Sequence, residues 1–255
     1  MSSQDTQNSA DALKKRFNAA QVEQLNERFE DSSAQEILEW ATSLHPRIAL
    51  ASSFQSQGVV LIDMFLKIHQ KARIFTLDTG RLNEETYEVM DAISSKYGAN
   101  IEILFPDKKE VEDMVREHGP NLFYKGKDNR FLCCDIRKVR PLNNFLPSLD
   151  AWITSIRRDQ TQNRSEAKKF ELDELHGGIL KINPLVDWSS KEVWEYIGEH
   201  NVPYNKLHDL GYPSIGCAPC TRPVRDGEDP RSGRWWWEND SDKECGLHMS
   251  HNVNS

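Results

Sequence analysis

Ile48-Ala49-Leu50-Ala51-Ser52-Ser53-Phe54-Gln55-Ser56-Gln57-Gly58-Val59-Val60-Leu61-Ile62 is the stretch that decides the fold. Its apolar start, Ile48–Ser52, reads as a short buried strand, and Val59–Ile68 reads as a helix. The polar turn between them offers hydroxyls and backbone N–H groups at a helix N-terminus, where a phosphate can be held. The same unit recurs downstream. Arg73–Leu77 reads as a strand, Glu84–Tyr97 as a helix, Ile101–Phe105 as a strand and Lys108–Glu117 as a helix. A loop rich in Gly, Lys and Asn (119–130) leads into a helix from about Leu132 to Phe145, with further strands at Ala151–Ile156 and Ile179–Ile182. Ser189 with Glu192 caps a helix through Trp194 and Ile197, and beyond Pro203 the chain reads as loop.

Upstream, Leu13, Phe17, Val22, Leu25 and Phe29 form an imperfect apolar stripe. Ser32 with Gln35 is a capping box ahead of Ile37, Leu38, Ala41 and Leu44, and His45-Pro46 stops that helix. Alternating strands and helices imply an α/β fold, a mainly parallel twisted sheet flanked by helices with right-handed crossovers. Such sheets bind ligands beyond the carboxyl ends of their strands. That rule singles out Ser52–Gly58, Asp78-Thr79-Gly80-Arg81 and Arg157-Arg158-Asp159-Gln160. The expected organisation is an extension over 1–30 (polar and disordered over its first ten residues), one α/β domain over 31–230, and a C-terminal tail over 231–255.

With 255 residues, 38% hydrophobic and 28% charged, the chain is of a size and composition to fold around its own core. The formal charge of −8 argues against a nucleic-acid-coating surface. No apolar run is long enough for a bilayer, and the polar N-terminus lacks a secretion-signal layout, so a cytoplasmic protein with reduced thiols is expected. Five cysteines then point to metal or catalysis rather than disulfides. Cys217 and Cys220 form a C-x-x-C, a spacing that zinc, redox and iron–sulfur sites share. Cys133 and Cys134 are adjacent, which suits the separate corners of a cubane better than one small ion. Structural zinc and unrelated buried thiols stay open on spacing alone. Cys245 stands by itself in Lys243-Glu244-Cys245-Gly246-Leu247-His248. There it is either an incidental thiol or a nucleophile activated by nearby cations, on a tail able to reach both a substrate and a reductant.

Eight motifs occur in order: Ala51-Ser52-Ser53-Phe54; Leu77-Asp78-Thr79-Gly80-Arg81 with Glu84-Glu85-Thr86-Tyr87; Cys133-Cys134-x-x-Arg137-Lys138-Val139; Arg157-Arg158-x-Gln160; Asn183-Pro184-Leu185; Gly211-Tyr212-Pro213-Ser214-Ile215-Gly216-Cys217-x-x-Cys220; Arg231-Ser232-Gly233-Arg234-Trp235; and Glu244-Cys245-Gly246-Leu247-His248. Together they make the sequence resemble the assimilatory sulfonucleotide reductases, in particular the adenylyl-sulfate reductase branch that carries a [4Fe-4S] cluster, over about residues 46–249. The resemblance implies an adenine nucleotide alpha-hydrolase-like fold, related to ATP pyrophosphatases. It implies that Cys245 attacks the sulfur of adenylyl sulfate, that AMP leaves, and that thioredoxin or a glutaredoxin-like dithiol releases sulfite from the S-sulfocysteine. Cys133, Cys134, Cys217 and Cys220 match the cluster ligands. The nucleotide would be held by Ser52, Ser53, Phe54, Gln55, Gln57, Leu77, Asp78, Thr79, Gly80, Arg81, Lys138, Arg157, Arg158, Gln160, Arg164, Arg231, Arg234 and His248. No nucleic-acid or membrane partner is implied, and the resemblance leaves room for a homo-oligomer, as relatives often form one.

Duller readings stand beside these roles. Arg157, Arg158 and Lys138 can be solvated charges, His248 an exposed tail residue, and Trp235, Trp236 and Trp237 core packing rather than a base-stacking platform. Glu110, Glu112 and Asp113 read as a solvated helix face. Two departures from the family stand out: Gln160-Thr161-Gln162 lacks the Ser-Pro that relatives usually carry after the Gln, and the polar N-terminal extension carries no motif of its own. Ser53-Phe54-Gln55-Ser56-Gln57 also lacks the Gly-Gly of the related ATP pyrophosphatases, which argues against ATP cleavage. The rival functions are the same chemistry on the 3′-phosphorylated nucleotide or on both, an RNA-thiolating ATP pyrophosphatase, and a non-enzymatic metal-binding scaffold. The second of these predicts a Gly-rich loop and a basic surface, and the third leaves Cys245 idle.

Overall fold

The structure, a computed structural model, describes residues 17–238. Cys245, His248 and most of the N-terminal extension lie outside the described residues. Helices α1 (Ala19–Arg28) and α2 (Ala34–Thr42) precede β1 (Ile48–Ala51), α3 (Ser56–Ile68), β2 (Arg73–Leu77), α4 (Glu84–Tyr97), β3 (Ile101–Leu104) and α5 (Lys108–His118). Next come α6 (Lys127–Cys134), a π turn over Asp135–Val139, α7 (Arg140–Phe145), β4 (Ala151–Ile153), β5 (Phe170–Asp173), β6 (Ile179–Ile182) and α8 (Ser190–His200). Six strands form one sheet in the order β3-β2-β1-β4-β6-β5, parallel throughout except for β5 against β6. No described helix is long and apolar enough to cross a membrane.

β1 is central and covered on both faces, which is why it reads as an unbroken apolar run. Ile48 and Leu50 pack with α3 on one side, while Ala49 faces Phe75, Leu142 and Trp152 on the other. The chain leaves β1 for β2 on one side, and β4 flanks it on the other. That reversal opens a crevice at the strands' carboxyl ends.

Several boundaries differ from the sequence expectation for local reasons. The α2 cap is Ser33 with Glu36, one residue beyond the expected pair, because the Glu36 carboxylate accepts from the Ser33 N–H at 2.8 Å. α3 begins at Ser56, since a helix's first turn need not be apolar. β1, β3 and β4 end earlier than expected, at Ala51, Leu104 and Ile153. The 119–130 loop is shorter than expected, because α6 starts at Lys127. The unanticipated β5 is four residues long and closes the sheet edge. The Asn26 amide of α1 caps that edge, donating to Phe170 O at 2.9 Å and accepting from Phe170 N at 3.1 Å. Phe29, Trp40 and Phe170 pack against one another there, with ring centroids 5.3–5.6 Å apart.

One polar cluster is buried in the main core. Asp63 on α3 accepts from the hydroxyls of Tyr97 (2.7 Å) and Tyr196 (2.6 Å) and pairs with Lys67 Nζ (2.7 Å), tying α4 and α8 to α3. Burial pushes its carboxyl up, but the bonds to Lys67, Tyr196 and Tyr97 outweigh this and hold it below the usual 3.8. Asp63→Ala strands two buried hydroxyls and is expected to cost about 2–4 kcal/mol in urea unfolding at pH 7. Because the folded carboxyl titrates lower than the unfolded one, this contribution is full above the unfolded value. It fades as pH falls below 3.8 and through the lower folded value, so the gap between parent and variant closes only in strong acid.

Candidate active site

The β1–α3 turn is built on Ser52, whose N–H donates to Phe75 O (2.9 Å) and whose hydroxyl accepts from Phe54 N (3.1 Å). A Cβ on Gly58 would stand 2.7 Å from that hydroxyl, so the first turn of α3 needs glycine for the chain to fold back this closely. Phe54 takes a positive φ of 54° and buries its ring completely. Gln55 spans the cavity mouth, accepting from Ile215 N at 2.9 Å. The Ser56 N–H donates to His208 Nε2 (3.3 Å), and the other ring nitrogen of His208 lies 2.8 Å from Tyr212 O. Burial pushes the His208 pKa down, so the ring is neutral with its proton on Nδ1.

Around this turn, at the carboxyl ends of β1, β2 and β4, lies a cavity of about 820 Å³, a size suited to a nucleotide. Six cations line it, Lys138, Arg157, Arg164, Arg225, Arg231 and Arg234, against the carboxylates Asp159, Asp209 and Asp226. In a chain of net charge −8 this is a local reversal of sign. Arg157 is 7% exposed, and burial pushes its pKa down. Its guanidinium makes only long contacts, to Asp159 (3.3 Å) and Trp188 O (3.4 Å), and its Nε has no hydrogen-bond partner among the described residues. Arg234 Nε is likewise buried without one. A Cβ on Gly216 would meet the Arg234 guanidinium at 2.3 Å, so that arginine lies flat across a backbone only glycine leaves open. Two buried guanidinium nitrogens without acceptors suit an anionic ligand.

Of the residues expected to hold nucleotide, Ser52, Ser53, Gln55, Gln57, Leu77, Thr79, Lys138, Arg157, Gln160, Arg164, Arg231 and Arg234 converge on this cavity. Phe54, Asp78, Gly80, Arg81 and Arg158 do not line it. Phe54 is core. Asp78 holds its own turn, accepting from Gly80 N (2.7 Å) and Tyr87 OH (2.9 Å). Burial and then that carboxylate push the Tyr87 hydroxyl up to about 12. Arg81 turns away to Pro120 O (3.0 Å) and Asn121 Oδ1 (2.9 Å), and Arg158 turns away to Asp187 and Ala167 O. His208, Arg225 and Ser214 line the wall without having been singled out. Ser214 stood inside a quoted motif, whereas nothing local marks His208 or Arg225.

Cys133, Cys134, Cys217 and Cys220 surround one small gap of about 20 Å³, with Arg81, Arg130, Arg137 and Lys138 on its wall. The C-x-x-C forms a 3-10 turn, Ala218–Cys220, and the adjacent pair ends α6. Thr79 Oγ1 lies 3.3 Å from Cys217 Sγ, and Arg137 donates to Thr79 O at 2.6 Å. Lys138, carried on the π turn, lines both gap and cavity. Among the described residues no three His, Cys, Asp or Glu side chains converge closely enough for one metal ion. The four thiols instead line the one small gap, with cations on its wall. Burial pushes the Cys133 thiol up and the Cys220 thiol up to about 12, so both stay protonated at neutral pH unless a metal displaces the protons. Four thiols with flanking cations therefore fit a thiolate-bound anionic cluster in donor chemistry.

The three tryptophans pack rather than present a platform. Trp235 is fully buried against the cysteines, Trp237 meets Tyr124 edge-on (4.5 Å between centroids), and Trp236 is about half exposed. Arg234 pairs with Thr221 in an antiparallel bridge, which holds 231–238 beside the C-x-x-C turn.

The adenosine 5′-phosphosulfate reductase of Burkholderia cepacia is 46% identical over 206 residues, covering 81% of this chain and 82% of that one. The crystal structure of phosphoadenylyl-sulfate reductase from Candida auris, a phosphate complex, superimposes with a TM-score of 0.70 at 30% identity, covering 82% of this chain and 98% of that one. The FMN adenylyltransferase of Candida glabrata shares the fold alone (TM-score 0.55, 13% identity, 94% of this chain and 82% of that one). The phosphoadenosine phosphosulfate reductase domain matches residues 47–223, and the chain belongs to that family.

Proposed function

We propose that the chain reduces adenylyl sulfate to sulfite, releasing AMP, in assimilatory sulfate reduction. The observation that carries this is the cation-lined cavity at the β1–β4 crevice, where Arg157 Nε and Arg234 Nε find no acceptor among the described residues, set beside four grouped thiols. The likeness to a bacterial adenosine 5′-phosphosulfate reductase supports the substrate.

The nucleotide phosphate lies by the β1–α3 turn, and Arg157, Arg234 and Lys138 neutralise the phosphosulfate oxygens. The Cys245 thiolate attacks the sulfate sulfur. The bond from sulfur to the phosphate oxygen breaks, and AMP leaves with the electron pair. The S-sulfocysteine is then opened by a dithiol protein of the thioredoxin kind. Its first thiolate bonds to Cys245 Sγ and expels sulfite, and its second thiol resolves the mixed disulfide, so the dithiol supplies both electrons. Cys133, Cys134, Cys217 and Cys220 would hold a [4Fe-4S] cluster, which would supply a fixed charge to the site when bound. A reducing cytoplasm suits both thiolates and dithiol. The same chemistry on the 3′-phosphorylated nucleotide is the second reading, favoured by the likeness to the Candida auris enzyme. Four cysteines grouped in one place favour the first.

Incubating the anaerobically purified, brown chain with adenylyl sulfate and no reductant is expected to add one SO₃ group, mapped by peptide mass to Cys245. A colourless zinc protein defeats the cluster assignment, and absence of the adduct defeats the covalent route. Turnover on the two nucleotides in one assay separates the two substrates.

A further inference from the structure

Segment 231–238 is held far more firmly than a simple exit from the domain requires. Trp235 sits at a positive φ of 43° while 1% exposed, a backbone state that a bulky residue keeps only where its surroundings over-determine it. Its N–H donates to Cys220 O at 3.1 Å, and its ring lies within 4.4 Å of the Arg130 guanidinium carbon and 4.6 Å of that of Arg234. Three residues on, Glu238 accepts a two-pronged bond from Arg130, with Nε on Oε1 at 2.6 Å and the second fork nitrogen on Oε2 at 3.0 Å. The side chains of this pair are 1% and 9% exposed. It joins residues 108 positions apart.

A buried ion pair is weak as a source of stability, because desolvating both charges offsets their attraction. It is strong as a device for fixing one arrangement, since any other leaves a buried charge unpaired. Arg130 stands on α6 one turn before Cys133 and lines the gap among the cysteines, while Arg234 lines the nucleotide cavity. Glu238 is therefore fixed relative to both. Cys245 is seven positions further along, so its Cα lies within roughly 25 Å of that of Glu238 however the intervening chain runs.

We infer that Arg130 and Glu238 are positioning residues: their ion pair fixes, relative to both gap and cavity, the residue seven positions before Cys245. The inference rests on the proposed role of Cys245. Its test is the rate of SO₃ addition to Cys245 at saturating adenylyl sulfate without reductant, read by intact mass, together with the dissociation constant for AMP and the thermal midpoint. Glu238→Gln keeps the shape and loses the charge, and is expected to slow addition at least tenfold with the AMP constant within twofold of the parent. Arg130→Lys keeps the charge without the fork, and is expected to fall between the two. Addition by Glu238→Gln at the parental rate overturns the anchor. So does a loss of AMP affinity in step with the rate, the mark of general damage to the cavity. If Arg130→Lys does not fold, Glu238→Gln alone decides. A parent chain that forms no adduct overturns the role of Cys245 and the anchor with it, whereas a reacting parent with unaffected variants overturns the anchor alone.

Discussion

Cys245→Ser is expected to make no sulfite with a thioredoxin-type dithiol above background, a fall of about 10⁴-fold or more, as when a nucleophile is removed from a covalent mechanism. A serine hydroxyl is hardly ionised at neutral pH, and its oxygen is a poor partner for a dithiol, so neither half-reaction survives. The four cysteines grouped at 133, 134, 217 and 220 are untouched by the change, so colour and AMP binding are expected to equal the parent's. The informative comparison is therefore sulfite release against absorbance in the same sample. Sulfite release by the serine variant at even a hundredth of the parental rate would falsify Cys245 as the attacking group.

Arg157→Leu is expected to separate catalysis from stability. The guanidinium is buried, burial pulls its pKa down, and Nε lacks a partner among the described residues, so without a bound anion the charge is a burden on the fold. Replacing it with an apolar side chain of smaller volume removes that burden, and a thermal midpoint at or above the parent's is expected. With substrate bound, the same charge faces the phosphosulfate oxygens as negative charge gathers on the departing phosphate. Its loss is expected to lower kcat/KM by about 10²–10³-fold, the usual effect of removing one fixed donor from a developing anion. Unchanged kcat/KM with a raised midpoint makes Arg157 a structural charge; a lowered midpoint with lowered activity makes it a packing residue. Asp187, which engages Arg158 instead, marks the neighbouring arginine as the one whose replacement is expected to matter less.

The strand–turn–helix at 48–62 was legible because burial on both faces of β1 leaves an apolar run that little else produces. β5 was not, because Phe170-Glu171-Leu172-Asp173 is short and half polar. It owes its pairing to β6 and to the Asn26 amide, 144 residues away. Arg157 and Arg234 could be read from the chain as functional charges. Which arginines of Arg157-Arg158 and Arg81 face the cavity could not, since that turns on Asp187, Ala167 O, Pro120 O and Asn121 being in reach. Phe54 stood inside a binding motif yet serves the core, as its left-handed backbone swings the ring under the turn. His208 was invisible locally, its role being to receive the Ser56 N–H across 152 positions.

The π turn at Asp135–Val139 has a consequence for anyone exchanging or shortening this part of the chain. With Arg140 N–H bonded to Asp135 O, the stretch holds one residue more than a regular helix would need between the adjacent cysteines and α7. Deleting a single residue ahead of Lys138 there would let the ordinary ladder close with α7 nearly in place, yet the side chains within the turn would be re-aimed by up to about 100° relative to Cys133 and Cys134. Lys138, now shared by gap and cavity, would face only one of them. The number of residues in that turn is thus as much a specification of the chemistry as their identity, and a transplant matched by composition alone would carry the right side chains pointing the wrong way.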